Sequence, residues 1–125
     1  MKYTVIIKEN KTFVSLYKRG KYTVGKNVAV YYKKNRSGQT GLGITTGKKA
    51  GNAVVRSRCR RIIRAAFKNC EEEFPKGYDY IIAARPGCGD AKSTQIEAFF
   101  RSKVIPAVKK LDATNRKWKT FYYCW

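Results

Sequence analysis

From Lys48 to Lys68 the chain reads KKAGNAVVRSRCRRIIRAAFK, with eight Lys and Arg side chains and no Asp or Glu. Placed at roughly 100° per residue, Val55, Cys59, Ile62, Ile63, Ala66, Phe67 and Cys70 share one arc. Arg56, Arg60, Arg64, Lys68 and Arg61 line the neighbouring arc, and Arg58 sits on the far flank. The pattern predicts an amphipathic helix that starts near Asn52 as N-cap and fades near Cys70. One face must enter a core, so the fold has to supply a second apolar layer. The other face concentrates positive charge that no neighbouring acid neutralises. Arginines held at fixed spacing on a rigid rod suit a polyanion of fixed geometry, folded RNA above all.

The whole chain shares this bias. Its 125 residues carry 28 Lys and Arg against 8 Asp and Glu, a formal net charge of +20. Self-repulsion of that size opposes folding, and a polyanionic partner is the simplest reason to tolerate it. Hydrophobic residues at 43% are enough for a core, and the length suits a single domain over 1–125. Aromatics at 14% favour nucleic acid over an anionic membrane or an acidic protein, because bases stack on aromatic rings. No apolar run approaches the roughly 20 residues of a membrane span, and Met1–Ile7 is too short for a signal peptide. Cys59, Cys70, Cys88 and Cys124 form no C-x-x-C pair and read as reduced thiols. A reducing cytoplasm is therefore the expected location.

Elsewhere the periods are shorter. Thr12 to Lys18 reads as a short helix, with Phe13, Leu16 and Tyr17 at helical spacing and Gly20 placed to end it. Asn27 to Lys33 alternates as a strand, with Val28, Val30 and Tyr32 on one face and Ala29 and Tyr31 on the other. Asn35, Ser37 and Gly38 mark a hairpin-like loop before a second strand, Gly41 to Gly47. One face of that strand holds only Gly43, Thr45 and Gly47, which fits either a ligand groove or a closely packed helix. Beyond the basic helix, Pro75 and Gly77 break the chain, and Tyr78 to Arg85 is apolar enough for a central strand. Ser93 to Leu111 predicts a last helix kinked or broken at Pro106. The tail, residues 112–125, has no period and stays unassigned.

Protein-based chemistry has little to work with. There is no histidine, so no Ser–His–Asp or Cys–His arrangement is available, and zinc knuckles are disfavoured. The acids form no D-x-D or E-x-x-E pair for two metals, and Gly47-Lys48-Lys49 lacks the spacing and hydroxyl of a phosphate loop. No catalytic or metal-ligating residue is assigned. Phe13 and Tyr17, at i and i+4, are by themselves more commonly core than base platforms. Tyr31, opposite the Val28 and Val30 side, is the better candidate for an open surface.

The run KKAGNAVVRSRCRRIIR closely resembles the bacterial ribonuclease P protein signature, K-K-(V/I)-G-N-A-V-x-R-N-R-x-(K/R)-R-x-x-R. Around it lie a similar aromatic motif at Phe13, Leu16, Tyr17 and Gly20, a strand Val28–Tyr32, a G-I-T at Gly43–Thr45, and DYIIAARPG at Asp79–Gly87. The resemblance runs from about residue 6 to 111.

It implies an α+β fold, a small two-layer α/β sandwich with a central, mostly antiparallel sheet and a left-handed β-α-β crossover. It implies an endoribonuclease whose catalytic RNA subunit, with bound Mg2+, removes the 5′ leader from precursor tRNA. The protein is then a monomer that binds that RNA and the precursor and raises effective magnesium affinity. On this resemblance Lys48, Lys49, Gly51, Asn52, Arg56, Ser57, Arg58, Arg60, Arg61, Arg64 and Lys68 face RNA. Phe13, Tyr17, Lys26, Tyr31, Gly43 and Thr45 form the leader-binding cleft. Two departures stand out: Ser57 replaces the usual Asn between the first two motif arginines, and Gly41 stands where Arg is common.

Overall fold

The computed structural model describes residues 4–7, 9–35 and 37–123, with side chains through residue 114. Its elements run β1 (Thr4–Ile6), α1 (Asn10–Arg19), β2 (Lys21–Val24), β3 (Val28–Lys34), β4 (Thr40–Thr46), α2 (Ala53–Cys70), β5 (Tyr78–Ala84), α3 (Ser93–Phe99) and α4 (Ile105–Tyr123). The strands form one sheet in the order β1-β4-β5-β3-β2. β5 pairs on both edges and is apolar on both faces, the central place its composition predicted. The parallel neighbours β4 and β5 are joined through α2, which supplies the β-α-β crossover.

The expected α+β fold is present, and its sheet is mixed: β3 pairs antiparallel with β2 and β5, whereas β4 pairs parallel with β1 and β5. β1 and β2 were both missing from the sequence reading, because strands of 3 and 4 residues are too short for a period to show. The Asn35–Gly38 loop also joins no hairpin, since β5 inserts between β3 and β4. Turn residues signal a reversal and leave pairing open. Here Asn35 Nδ2 donates to the Gln39 carbonyl at 2.6 Å and to Asp79 Oδ1 at 2.9 Å, tying the loop across β5.

The predicted final helix is divided. Proline lacks an N–H and its ring crowds the carbonyl four residues back, so Pro106 cannot sit in an undisturbed α-helix. The chain answers with a π turn, Phe100–Val104, directly before α4. Phe100 and Val104 stay fully buried, so the wider turn keeps the apolar stripe on the core. α4 then continues to Tyr123, taking in most of the tail that shows no period.

α2 lays Cys59, Ile63, Ala66, Phe67 and Cys70 against the sheet face built by Val28, Val30, Tyr32, Leu42, Tyr80 and Ile82. At the centre Phe67 stacks on Phe74 with centroids 4.7 Å apart, and Phe74 meets Tyr80 and Phe100 edge-on at 5.0 and 5.5 Å. The Tyr80 hydroxyl is satisfied by the Pro75 carbonyl at 2.6 Å.

Burial raises the Cys70 thiol from 9.0 to about 11. Burial first, then the neighbouring Cys59, pushes Cys88 up to about 12. The folded state therefore keeps protons that the unfolded chain has released. Stability is expected to be level below pH 9.0 and to fall as pH rises through about 11 and 12. Urea midpoints measured from pH 7 upward check this; a midpoint that holds level to pH 11 contradicts it.

Candidate nucleic-acid interface

The approach to α2 is shaped by one glycine. After β4 a 3-10 turn, Lys48–Ala50, ends at Gly51, whose φ of 137° is a conformation side chains rarely adopt. A Cβ there would also lie 2.8 Å from a Val55 methyl. This bend sets Asn52 to cap the helix, its Oδ1 accepting from the Val55 N–H at 3.0 Å. The predicted N-cap is confirmed in position and geometry.

Lys48, Lys49, Arg58, Arg60, Arg61, Arg64 and Lys68 are all exposed, and none forms an ion pair among the described residues. Arg56 lies nearest the buried arc and is half-buried, with a Nε–H that is enclosed and has no described partner. Arg60 is held: one guanidinium nitrogen donates to Thr46 Oγ1 at 2.8 Å, the other to Ser57 Oγ at 3.1 Å. Ser57, shorter than the family's usual Asn, thus still orients a cation. Thr46 was missed in sequence, because nothing in its position announces an arginine 14 residues away.

The opposite sheet face carries the second group. α1 packs over β3 and β5, and only the absence of a side chain at Gly43 lets it approach: a Cβ there would lie 2.6 Å from Phe13 Cζ. Tyr17 meets Tyr31 edge-on at 4.8 Å, and its hydroxyl is 3.2 Å from Thr45 Oγ1. Phe13, Tyr17, Tyr31, Gly43 and Thr45 therefore come together as predicted. Of the two readings of the small strand face, the closely packed helix is the one seen at Gly43, which admits the Phe13 ring, and Thr45 stays half-exposed beside it. Tyr22, which the sequence reading passed over, joins this group 5.8 Å from Tyr31.

Lys26 does not join the aromatic group. It is exposed in the turn between β2 and β3, lining a hollow with Asn27, Pro86 and Gln95 on the α3 side. Gly41 lies beside Asp79 and Ile7 at the β1 edge of the sheet. It is buried, and a side chain there would collide with Asp79 and Ile7.

The two groups meet at the end of β4. Alternation sends Thr45 to Tyr17 on one face and Thr46 to Arg60 on the other. Among the described residues no helix is long and apolar enough to cross a membrane.

Comparison with known proteins agrees with this geometry. The family model for ribonuclease P matches residues 1–109. The ribonuclease P protein component of Pelotomaculum thermopropionicum is 34% identical over 97 residues, covering 78% of this chain and 87% of that one. That of Clostridium botulinum is 34% identical over 110 residues, covering 87% and 96%. The Staphylococcus aureus RNase P protein structure superposes with a TM-score of 0.66 at 31% identity, over 90% of this chain and 96% of that one. The Thermotoga maritima RNase P protein, at 22% identity and a TM-score of 0.69 over 85% and 96%, shares the fold. With its signature helix, mixed sheet and aromatic face in place, the chain belongs to the ribonuclease P protein family.

Proposed function

We propose that this chain positions RNA for tRNA 5′ maturation: α2 docks on the catalytic RNA, and the aromatic face takes the single-stranded leader of the precursor. One observation carries the reading. Residues 10–70 contain no Asp or Glu, and that segment supplies both the arginine face and all the aromatic rings of the cleft. Phosphate contacts then give affinity without reading sequence, and stacking holds a flexible strand of any sequence.

Magnesium belongs to the RNA in this reading. A hard cation takes oxygen ligands, and no group of three His, Cys, Asp or Glu is gathered among the described residues. When bound by RNA, the ion would supply an activated water and would stabilise the charge that builds on the phosphate and leaving oxygens. The protein's share is to offset repulsion where two phosphate backbones meet, which lowers the magnesium needed to hold them together.

Cleavage of precursor tRNA by the cognate RNA at low magnesium, with and without the protein, tests the proposal. Strong stimulation is expected, and none from folded protein with active RNA would overturn it. For the cleft, Phe13→Ala combined with Tyr31→Ala is expected to weaken leader-bearing precursor by at least about 30-fold, at about 1–3 kcal/mol for each of the two lost stacks. Mature tRNA should bind nearly as before; equal losses on both would remove the leader from the cleft.

A further inference from the structure

We propose that Tyr22, on the edge strand β2, provides one more stacking position for single-stranded RNA, extending the track beyond Tyr31. The inference rests on the reading of the aromatic face as the leader cleft, and it adds a position that the family motif does not contain. Register carries it first: Tyr22 is the cross-strand partner of Tyr31, so both rings rise from the same sheet face. Their centroids are 5.8 Å apart and their planes 38° apart, so Tyr22 turns a ring face away from its neighbour.

Exposure carries it second. Tyr22 is 64% exposed, against 43% for Tyr17, and its hydroxyl is bonded to no described residue. Val24, two residues along the same strand face, is 52% exposed. Among the described residues no element covers this open apolar edge.

Charge selects the occupant. Exposed Lys18 and Arg19 end α1, the helix that packs over the same sheet face, and exposed Lys21 precedes Tyr22 along the edge strand, so the surroundings of the strand are cationic. A second copy pairing along the free edge of β2 would bring two such clusters together in a molecule of net charge +20. A nucleic-acid strand meets complementary charge instead. Few fixed hydrogen-bonding groups surround the ring, so the position should accept any base.

The test uses the reconstituted holoenzyme and a series of precursor tRNAs with progressively longer leaders. Tyr22→Ala is expected to weaken binding at least about fivefold once the leader is long enough to pass Tyr31, and to leave shorter leaders unchanged. Tyr22→Phe should restore the wild-type length dependence, since stacking needs the ring alone. Loss of the same size at every length, or none at any, overturns the proposal. Tyr31→Ala in the same series separates the two readings: if it loses leader binding while Tyr22→Ala does not, the cleft stands and the extension falls. If neither variant responds to the leader, the cleft itself falls. Sedimentation of free wild-type protein closes the remaining route, because a dimer dispersed by Tyr22→Ala would assign the edge to a second copy.

Discussion

Replacing Arg60, Arg61 and Arg64 together with alanine is expected to weaken binding of the catalytic RNA by roughly two to three orders of magnitude near physiological salt. All three side chains are exposed on the outer arc of α2 and lack acidic partners among the described residues. Their loss leaves the core as it is, and within the protein it removes only the exposed hydrogen bonds of Arg60 to Thr46 and Ser57. The diagnostic quantity is the slope of log affinity against log salt. It should become shallower by nearly 3 units if each arginine meets a duplex phosphate, at about 0.9 per contact. The melting temperature of the free protein should hold or rise, because three like charges are gone. A large loss of affinity with an unchanged salt slope would mean that the arginines act through something other than phosphates.

The second large effect is on stability. Phe67→Ala is expected to lower the unfolding free energy by about 3–5 kcal/mol, against a total of about 5–15 kcal/mol for a domain. Phe67 has no exposed surface, stacks on Phe74 and lies 6.0 Å from Tyr80, so the vacated space has no neighbour free to fill it. The ring also belongs to the face by which α2 is fastened to the sheet. Saturating catalytic RNA should recover much of the loss, about 4 kcal/mol at a thousandfold excess over Kd. Denaturant midpoints with and without RNA measure both terms. A variant equally unstable in both conditions would show that RNA does not select the folded protein.

Much of this was legible before any coordinates, and the pattern of success has a physical basis. α2 announced itself because 18 residues repeat one amphipathic period, and Asn52 because capping is a local interaction. The cleft residues came from resemblance; periodicity alone left Phe13 and Tyr17 nearer to core. What stayed hidden depends on pairing across the sheet. β2 exists because β3 lies beside it, and β1 because β4 does; neither has enough residues to display a period. The link between Arg60 and Thr46 was hidden for the same reason, since it forms only once the crossover sets α2 over β4. Gly41 likewise depends on its tertiary neighbours. A family preference for Arg suggests a missing charge, and the structure adds that Asp79 and Ile7 would have to shift before a side chain could enter there.

The consecutive threonines at the end of β4 fix more than two hydrogen bonds. Their Cα atoms are about 3.8 Å apart through one peptide unit, and the pleat points their side chains to opposite sides. The surfaces proposed for the two RNAs therefore diverge from a single peptide unit of β4, one through Tyr17 on α1 and the other through Arg60 on α2. On the proposed assignment the molecule works as a gauge block: it holds the leader and the catalytic RNA at one separation. The site of cleavage is then chosen by length, and the base sequence need never be read.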